Sequence, residues 1–421
     1  MAFQPPKGTR DFLPDEAAKR RKYFELVRKV LESYGYGEII TPAFETMELL
    51  EAKGTLGEEA VKDVFRIWDK GKEKLGYGLI FDPTTPIARI VAADKALLKP
   101  VRWYYIRPMW RYEETKAGRY REFWQAGAEL IGTGDPAADA EILALTWDCL
   151  KAMGIKDFIF KVSSRSAAEA LADAAGITKD KRSAAFRAMD KIEKFGEAAV
   201  KEEMEKAGIP SKSIGKLLSL ITMDTEKIRK ELKDVQAIKE VEQVIEYAKK
   251  MGITNVKLDL SIIRGIDYYT GFVFETTVKG YEKLGSVASG GRYDSLIQIY
   301  GGAPTPATGV GIGIDRMMEI VSEKVSAAAK VFVVNVKDEQ RDEAIKVAQI
   351  LRRAGISAEF NVSGKDLRKQ FEYTNARGIR FAAVIGPEEA KEGTVKVKDM
   401  ATGKEEKVKA DKLKDFFLKK I

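Results

Sequence analysis

The sequence predicts an α+β protein: a sheet domain interrupted by a helical insertion and followed by a small α/β domain. Three observations carry this. Two strand-like stretches, Trp103 to Trp110 and Phe123 to Ile131, flank a charged loop and read as an antiparallel hairpin. From Ser164 to Met251 nearly everything has helical spacing, with strand character on either side. From Lys330 onward, strands and helices alternate.

Taken in order, Leu13-Pro14-Asp15-Glu16 is a helix start, with proline and acids in the first turn. Tyr23, Phe24, Leu26, Val27, Val30 and Leu31 recur at helical spacing, and Gly35 ends the run. Glu38 to Thr41 reads as a strand closed by Pro42. Tyr77 to Phe81 is a short strand, followed by Asp82-Pro83-Thr84-Thr85-Pro86 and a helix carrying Ile87, Ile90 and Val91. The acid and hydroxyls at that junction are either helix caps or a pocket for an ammonium group.

The central stretch runs from Val101 to Gly132. Its loop, Arg111 to Arg121, is too charged for a core. It is either a solvated surface loop or a platform for polyphosphate, since guanidinium groups make paired hydrogen bonds to phosphate oxygens. Pro136 to Met153 reads as a helix stopped by Gly154, and Phe158 to Val162 as a strand. Within the helical block, Gly176, Gly208 and Gly252 are stops. Strands return at Val256 to Leu260 and Phe272 to Glu275. Between them, Arg264-Gly265-Ile266-Asp267-Tyr268-Tyr269-Thr270-Gly271 sets one cation and two phenols beside a strand, which suits an anion and a flat ligand.

Gly290-Gly291 allows close backbone approach or a tight turn. Gly309, Gly311 and Gly313 have the spacing G-x-G-x-G, which departs from the dinucleotide fingerprint G-x-G-x-x-G. They read as a glycine-rich strand packed under a nucleotide, opening a helix with Arg316 in its first turn. The C-terminal alternation places strands at Val331 to Val336, Ser357 to Phe360, Phe381 to Ile385 and Thr394 to Lys398, with a closing helix. The hinge falls between Val321 and Ala329.

Composition narrows the chemistry. In 421 residues there is one cysteine, Cys149, and no histidine. This excludes a disulfide framework, cysteine metal clusters, imidazole bases and Ser-His pairs. No apolar run reaches the roughly 18 residues of a membrane helix, and the start of the chain lacks a signal-peptide core; a cytoplasmic protein is expected. The net charge is +8. From Ala328 to Ile421 there are 21 Lys and Arg against 15 Asp and Glu, which suggests a polyanion partner for this segment.

These residues resemble a known family. WRYEETKAGRYREFWQ at 110–125 is similar to motif 2 of the class II aminoacyl-tRNA synthetases, GYGEIITP at 35–42 to motif 1, and GVGIGIDR at 309–316 to motif 3. RGIDYYTG at 264–271 and GGRYD at 290–294 resemble the histidine-specific signatures of the histidyl-tRNA synthetases, and KGTRD at 7–11 a family-like start. The resemblance implies a class II antiparallel-sheet catalytic domain with a helical insertion and a C-terminal α/β anticodon-binding domain. The expected bounds are 1–163 and 253–325 for the catalytic domain, 164–252 for the insertion and 328–421 for the anticodon-binding domain. It implies activation of histidine by ATP, with Mg2+ on the phosphates, and transfer to tRNA(His) by a homodimer joined through motif 1. The alternative is a non-catalytic histidine-binding paralogue, like the regulatory subunit of ATP phosphoribosyltransferase, which would be expected to lack the basic C-terminal domain.

Carried over by residue, the resemblance gives Arg111 the α-phosphate, Glu113 the adenine amino group, Phe123 the adenine ring, and Arg121 and Arg316 the β/γ end. Arg264 would stabilise charge at the α-phosphorus. Asp82 and Thr84 would bind the α-amino group and Gln125 the carboxylate side. Glu129, Tyr268 and Tyr269 would recognise the imidazole, with Tyr293 lining the pocket. Ile80, Pro83 and Asp315 depart from the family's usual residues; Asp315 would alter a nearby metal or phosphate contact. The missing histidines are no obstacle, because the attacking carboxylate is already an anion. Such a chain can also be translated without drawing on its own product.

Overall fold

The computed structural model describes residues 3–52, 61–189, 192–223, 225–231, 236–262, 268–326 and 328–420. The chain forms two compact units, Met1–Asp11 with Arg20–Ser322, and Phe12–Lys19 with Glu323–Ile421.

The first unit is built on a sheet ordered β1-β5-β6-β11-β10-β9-β7-β8 among the described residues. These strands are β1 (Gly37–Glu38), β5 (Val101–Trp110), β6 (Glu122–Ile131), β7 (Phe158–Ser164), β8 (Val256–Leu258), β9 (Phe272–Val278), β10 (Ala288–Arg292) and β11 (Ala307–Gly313). Pairing is antiparallel except at the two edges, where β1 runs parallel to β5 and β8 to β7. A smaller antiparallel sheet holds β2 (Phe44–Thr46), β3 (Arg66–Asp69) and β4 (Lys74–Leu79), in the order β2-β4-β3.

The hairpin β5–β6 is in register from Val101↔Ile131 to Trp110↔Glu122. Its alternation sorts side chains to two faces. Tyr104, Ile106, Ala126, Ala128 and Leu130 join Val310 and Ile312 in a core under the helices Pro14–Ser33, Pro136–Ala152 and Gln236–Lys250. Trp103, Tyr105, Met109, Phe123 and Ile131 face the other way, into a second cluster with Tyr268 and Tyr293.

The strand expected from Glu38 to Thr41 is only Gly37–Glu38. Beyond Ile39, whose N–H still bonds Tyr104 O at 2.8 Å, the chain leaves the sheet and Ile40 is 86% exposed. The glycine pair at 290–291 is neither turn nor loop: it lies inside β10, between β9 and β11. A Cβ on Gly290 would stand 2.0 Å from Gly309 O, so the glycines let neighbouring backbones close up. The helical stretch from Arg165 to Lys250 carries a core of its own around Leu171, Phe186, Met204 and Leu217.

The second unit contains a mixed sheet, β13-β12-β14-β15-β16. Its strands are β12 (Val331–Asn335), β13 (Ala358–Phe360), β14 (Phe381–Ile385), β15 (Thr394–Asp399) and β16 (Glu405–Lys409). The first three are parallel and the last two add antiparallel. Helices Arg341–Arg353 and Leu413–Leu418 cover one face through Val347, Leu351, Leu413 and Phe417.

Candidate active site

β6 supplies the cleft through alternate residues. Gln125, Gly127 and Glu129 pair with Gly313, Gly311 and Gly309 of β11. Directly paired residues share a face, so all three glycines lie on the cleft side. A Cβ at Gly309 would sit 1.8 Å from Glu129 Oε2, and one at Gly311 2.4 Å from Gln125 Nε2. The period-two glycine spacing thus makes room for the working side chains of the neighbouring strand.

At the inner end is a box of carboxyls and hydroxyls. Glu129 is 2% exposed. Its Oε1 accepts from the Thr84 hydroxyl at 2.8 Å, and its Oε2 accepts a short hydrogen bond from the Tyr293 hydroxyl. Burial pushes the Glu129 carboxyl up to about 8; the two hydroxyls pull the other way, and nearby Asp82 adds to the rise. Asp82 Oδ1 accepts from Thr84 N–H at 3.0 Å and its Oδ2 from the Tyr268 hydroxyl at 3.0 Å. Thr84 opens the helix Thr84–Ala93 behind Pro83 at the N-cap position, and Asp82, which takes the Thr84 N–H, is also a wall of the cleft. Tyr269 packs on Tyr268, and Tyr268 on Tyr293, with centroids 5.0 and 5.7 Å apart. Burial raises the Tyr268 and Tyr293 phenols well above their ordinary value, so they stay protonated donors.

At the loop end, Arg111 donates through Nε to Phe81 O at 3.1 Å, and its guanidinium lies 5.2 Å from the Phe123 ring centre. Arg121 stacks 4.0 Å from the Tyr112 ring and donates to Glu113 O at 3.3 Å. The Glu113 carboxylate pairs with Arg119 at 3.1 Å. Arg316 reaches across to Gly118 O at 3.4 Å and also donates to Ser286 O. Arg264 lies outside the described residues. Among the described predicted residues, the structure brings Asp82, Thr84, Glu129, Tyr268, Tyr269 and Tyr293 into one cluster. Arg111, Glu113, Arg121, Phe123 and Arg316 gather around the loop, and Gln125 lies between the two groups along β6.

Asp315 is not turned toward a phosphate. It is 3% exposed; its Oδ1 accepts from Arg10 and Arg20, both at 2.6 Å, and its Oδ2 accepts from Trp124 N–H at 2.5 Å. This carboxylate therefore fixes the helix bearing Arg316 to β6 between Phe123 and Gln125. Sequence reasoning singled out Asp315 but gave it a metal or phosphate contact in place of this anchoring role, and it missed Tyr105. The Tyr105 hydroxyl accepts from Gln125 Nε2 at 2.8 Å and fills the space a Cβ on Gly127 would take, 2.1 Å away. The available signal was a phenol on the cleft face of β5 opposite a glycine of β6. Arg292 was missed as an anchor too: Nε and Nη2 donate to Asp139 Oδ2 at 3.0 and 2.8 Å, tying the end of β10, just before Tyr293, to the helix Pro136–Ala152.

An antiparallel sheet with this basic hairpin, a glycine strand beside it and an arginine opening the next helix defines a class II aminoacyl-tRNA synthetase. Residues 8–317 match the histidyl-tRNA synthetase family and residues 330–420 the anticodon-binding domain family. The chain is 38% identical to the histidine–tRNA ligase of Pyrococcus abyssi, over 96% of each chain. It is similar to the crystal structure of histidyl-tRNA synthetase from Nostoc sp. PCC 7120, with a TM-score of 0.84 and 29% identity over 100% of both chains. A Bacillus halodurans structure described as an ATP phosphoribosyltransferase regulatory subunit/histidyl-tRNA synthetase gives a TM-score of 0.76 at 25% identity, covering 92% of this chain and 98% of that one. The chain belongs to the histidyl-tRNA synthetase family.

Proposed function

We propose residue roles for an activity that the family membership defines. The chain is an ATP-dependent histidine–tRNA ligase: it joins histidine to AMP with release of pyrophosphate, then passes histidine to the end of tRNA(His). The carrying observation is the pairing of a loop-end arginine cluster with an inner carboxyl–phenol box along one strand, β6. Nucleotide and amino acid would then lie in line, with the histidine carboxylate aimed at the α-phosphorus.

In this reading Phe123 stacks on adenine and Arg111, already held against that ring, meets the α-phosphate. Glu113 takes the adenine amino group once released from Arg119. Arg121 and Arg316 hold the outer phosphates. Asp82 and Thr84 bind the α-ammonium, Gln125 the carboxylate side, and Glu129, Tyr268, Tyr269 and Tyr293 the imidazole. Arg264 stabilises the charge that develops at phosphorus. In the transfer step a phosphate oxygen of the adenylate accepts the ribose hydroxyl proton.

Mg2+ would enter with the ATP phosphates. Among the described residues no three His, Cys, Asp or Glu side chains cluster to cage an ion, and Asp315 is engaged by two guanidiniums. The described residues thus form no protein metal cage of their own. The regulatory-paralogue alternative expects a chain without the anticodon-binding domain, which this chain has. We place catalytic segments at 1–163 and 253–325, the insertion at 164–252 and the anticodon-binding domain at 328–421. The homodimer is proposed on the apolar residues left exposed in and near motif 1, Ile40 and Phe44. A cytoplasmic location is proposed; no described helix is long and apolar enough to cross a membrane.

Amino-acid-dependent ATP–pyrophosphate exchange tests the assignment. Histidine should support exchange and other amino acids should not; absence of exchange with histidine overturns it. Arg264→Gln should lower the exchange rate by ~10²–10³ with the fold intact, by analogy with loss of an oxyanion donor.

A further inference from the structure

The inner box holds two buried carboxyls joined through one residue: Thr84 gives its N–H to Asp82 and its hydroxyl to Glu129. The partners of Glu129 among the described residues are neutral hydroxyls, from Thr84 and Tyr293. Among the described residues, the titratable groups facing it are Asp82 from the turn before the helix Thr84–Ala93, Tyr105 from β5, Tyr268 from the segment before β9, with Tyr269 packed on it, and Tyr293 after β10; β11 presents Gly309. Tyr36 senses its charge at longer range. Among the described residues, none of the groups facing Glu129 is a cation. A second bare carboxylate here would be uncompensated, and burial without a counter-charge is costly. The free pocket therefore keeps Glu129 as the neutral acid, in line with the upward push that burial gives it.

Histidine can supply two positive groups, the ammonium and the imidazolium, which match the two carboxyls one to one. We propose that the pocket holds its amino acid as the imidazolium, with the proton handed over by Glu129 on binding. The proposal rests on the reading of this pocket as the histidine site and deepens it. In the transfer, the O–H bond of the Glu129 acid breaks and an N–H bond forms on the imidazole. The carboxylate left behind pairs with the imidazolium, so no proton leaves or enters solvent. Free imidazole, with a pKa of about 6.5, is the weaker base in isolation. Contact reverses the order, because both carboxylates favour the cation and Glu129 ceases to be unpaired. Selection then rests on proton affinity as well as shape: glutamine, asparagine and phenylalanine cannot take the proton.

The absence of histidine from this chain makes the test direct. Every imidazole signal in the complex belongs to the substrate. Full-length protein is saturated with histidine carrying ¹⁵N in its ring at pH 7.5, where only about a tenth of free histidine is imidazolium. The ¹⁵N spectrum is recorded, and calorimetric titrations at the same pH use two buffers of different ionisation enthalpy. The expected result is two equivalent-type imidazolium nitrogens and no net proton exchange with buffer. A neutral-tautomer spectrum overturns the proposal. An imidazolium spectrum with uptake of about one buffer proton overturns Glu129 as the donor. Absence of histidine binding by either method overturns the histidine reading of the site instead.

Discussion

A carboxyl with only hydroxyl partners, set beside a second acid, titrates late. Glu129 binds its proton more tightly in the folded chain, near 8, than at its ordinary 4.5. Its contribution to stability is therefore complete below about 4.5 and is lost as pH rises through about 8, at up to ~1.4 kcal/mol per pH unit. Without ligand, the unfolding free energy should fall across that window, and Glu129→Gln should flatten the dependence; denaturant titrations at pH 5, 7 and 8.5 read it. Chain reading assigned Glu129 its role only through the family resemblance, because an acid in a strand announces nothing about what faces it. Tyr105 shows the limit more sharply. Its role depends on a missing side chain across the strand, at Gly127, and a single strand's pattern does not reveal its neighbour's register.

Strands rich in large apolar residues were legible. The hairpin strands begin and end within two residues of their expected bounds, since both are rich in aromatic and apolar residues and a charged loop separates them. β10 was hidden because Gly290 and Gly291 fit close backbone approach or a tight turn equally and carry no apolar signal, and β16 because Glu405-Glu406-Lys407-Val408-Lys409 forms a solvated edge with little apolar signal. The glycines of β11 were recognised as special, but their purpose is the reach of the neighbouring strand. Gly309→Ala should cost about 1–3 kcal/mol by overpacking and raise KM for histidine by displacing Glu129, as thermal melts and exchange kinetics would show. Asp315→Asn should destabilise by about 3 kcal/mol, since it removes the carboxylate's buried ion pairs with Arg10 and Arg20, and should slow exchange through Arg316 and Phe123.

At the scale of the molecule, the two units have separate apolar cores, one around Phe274 and Leu143, the other around Val333 and Phe381. The strand–helix alternation of the second unit was plain in the sequence because its central strands are buried on both faces. What a lone chain leaves open to water bears on assembly. Ile40 is 86% exposed, and Trp68 and Leu75, paired across β3 and β4, are 57% and 49% exposed. Light scattering should return twice the 46.9 kDa of one chain, and Ile40→Asp should shift the mass toward the monomer.

The Asp315 cluster also sets a schedule. Its partners Arg10 and Arg20 stand 305 and 295 positions earlier in the chain. On a ribosome adding about 5–20 residues per second, the two arginines wait on the order of 15–60 s for their carboxylate. During that interval β6 can pair with β5, but the helix that carries Arg316 does not yet exist. The strand carrying Gln125 and Glu129 is thus made well before Arg316, and on the roles proposed above a nascent chain would not seat both reactants until synthesis of the sheet domain is nearly finished.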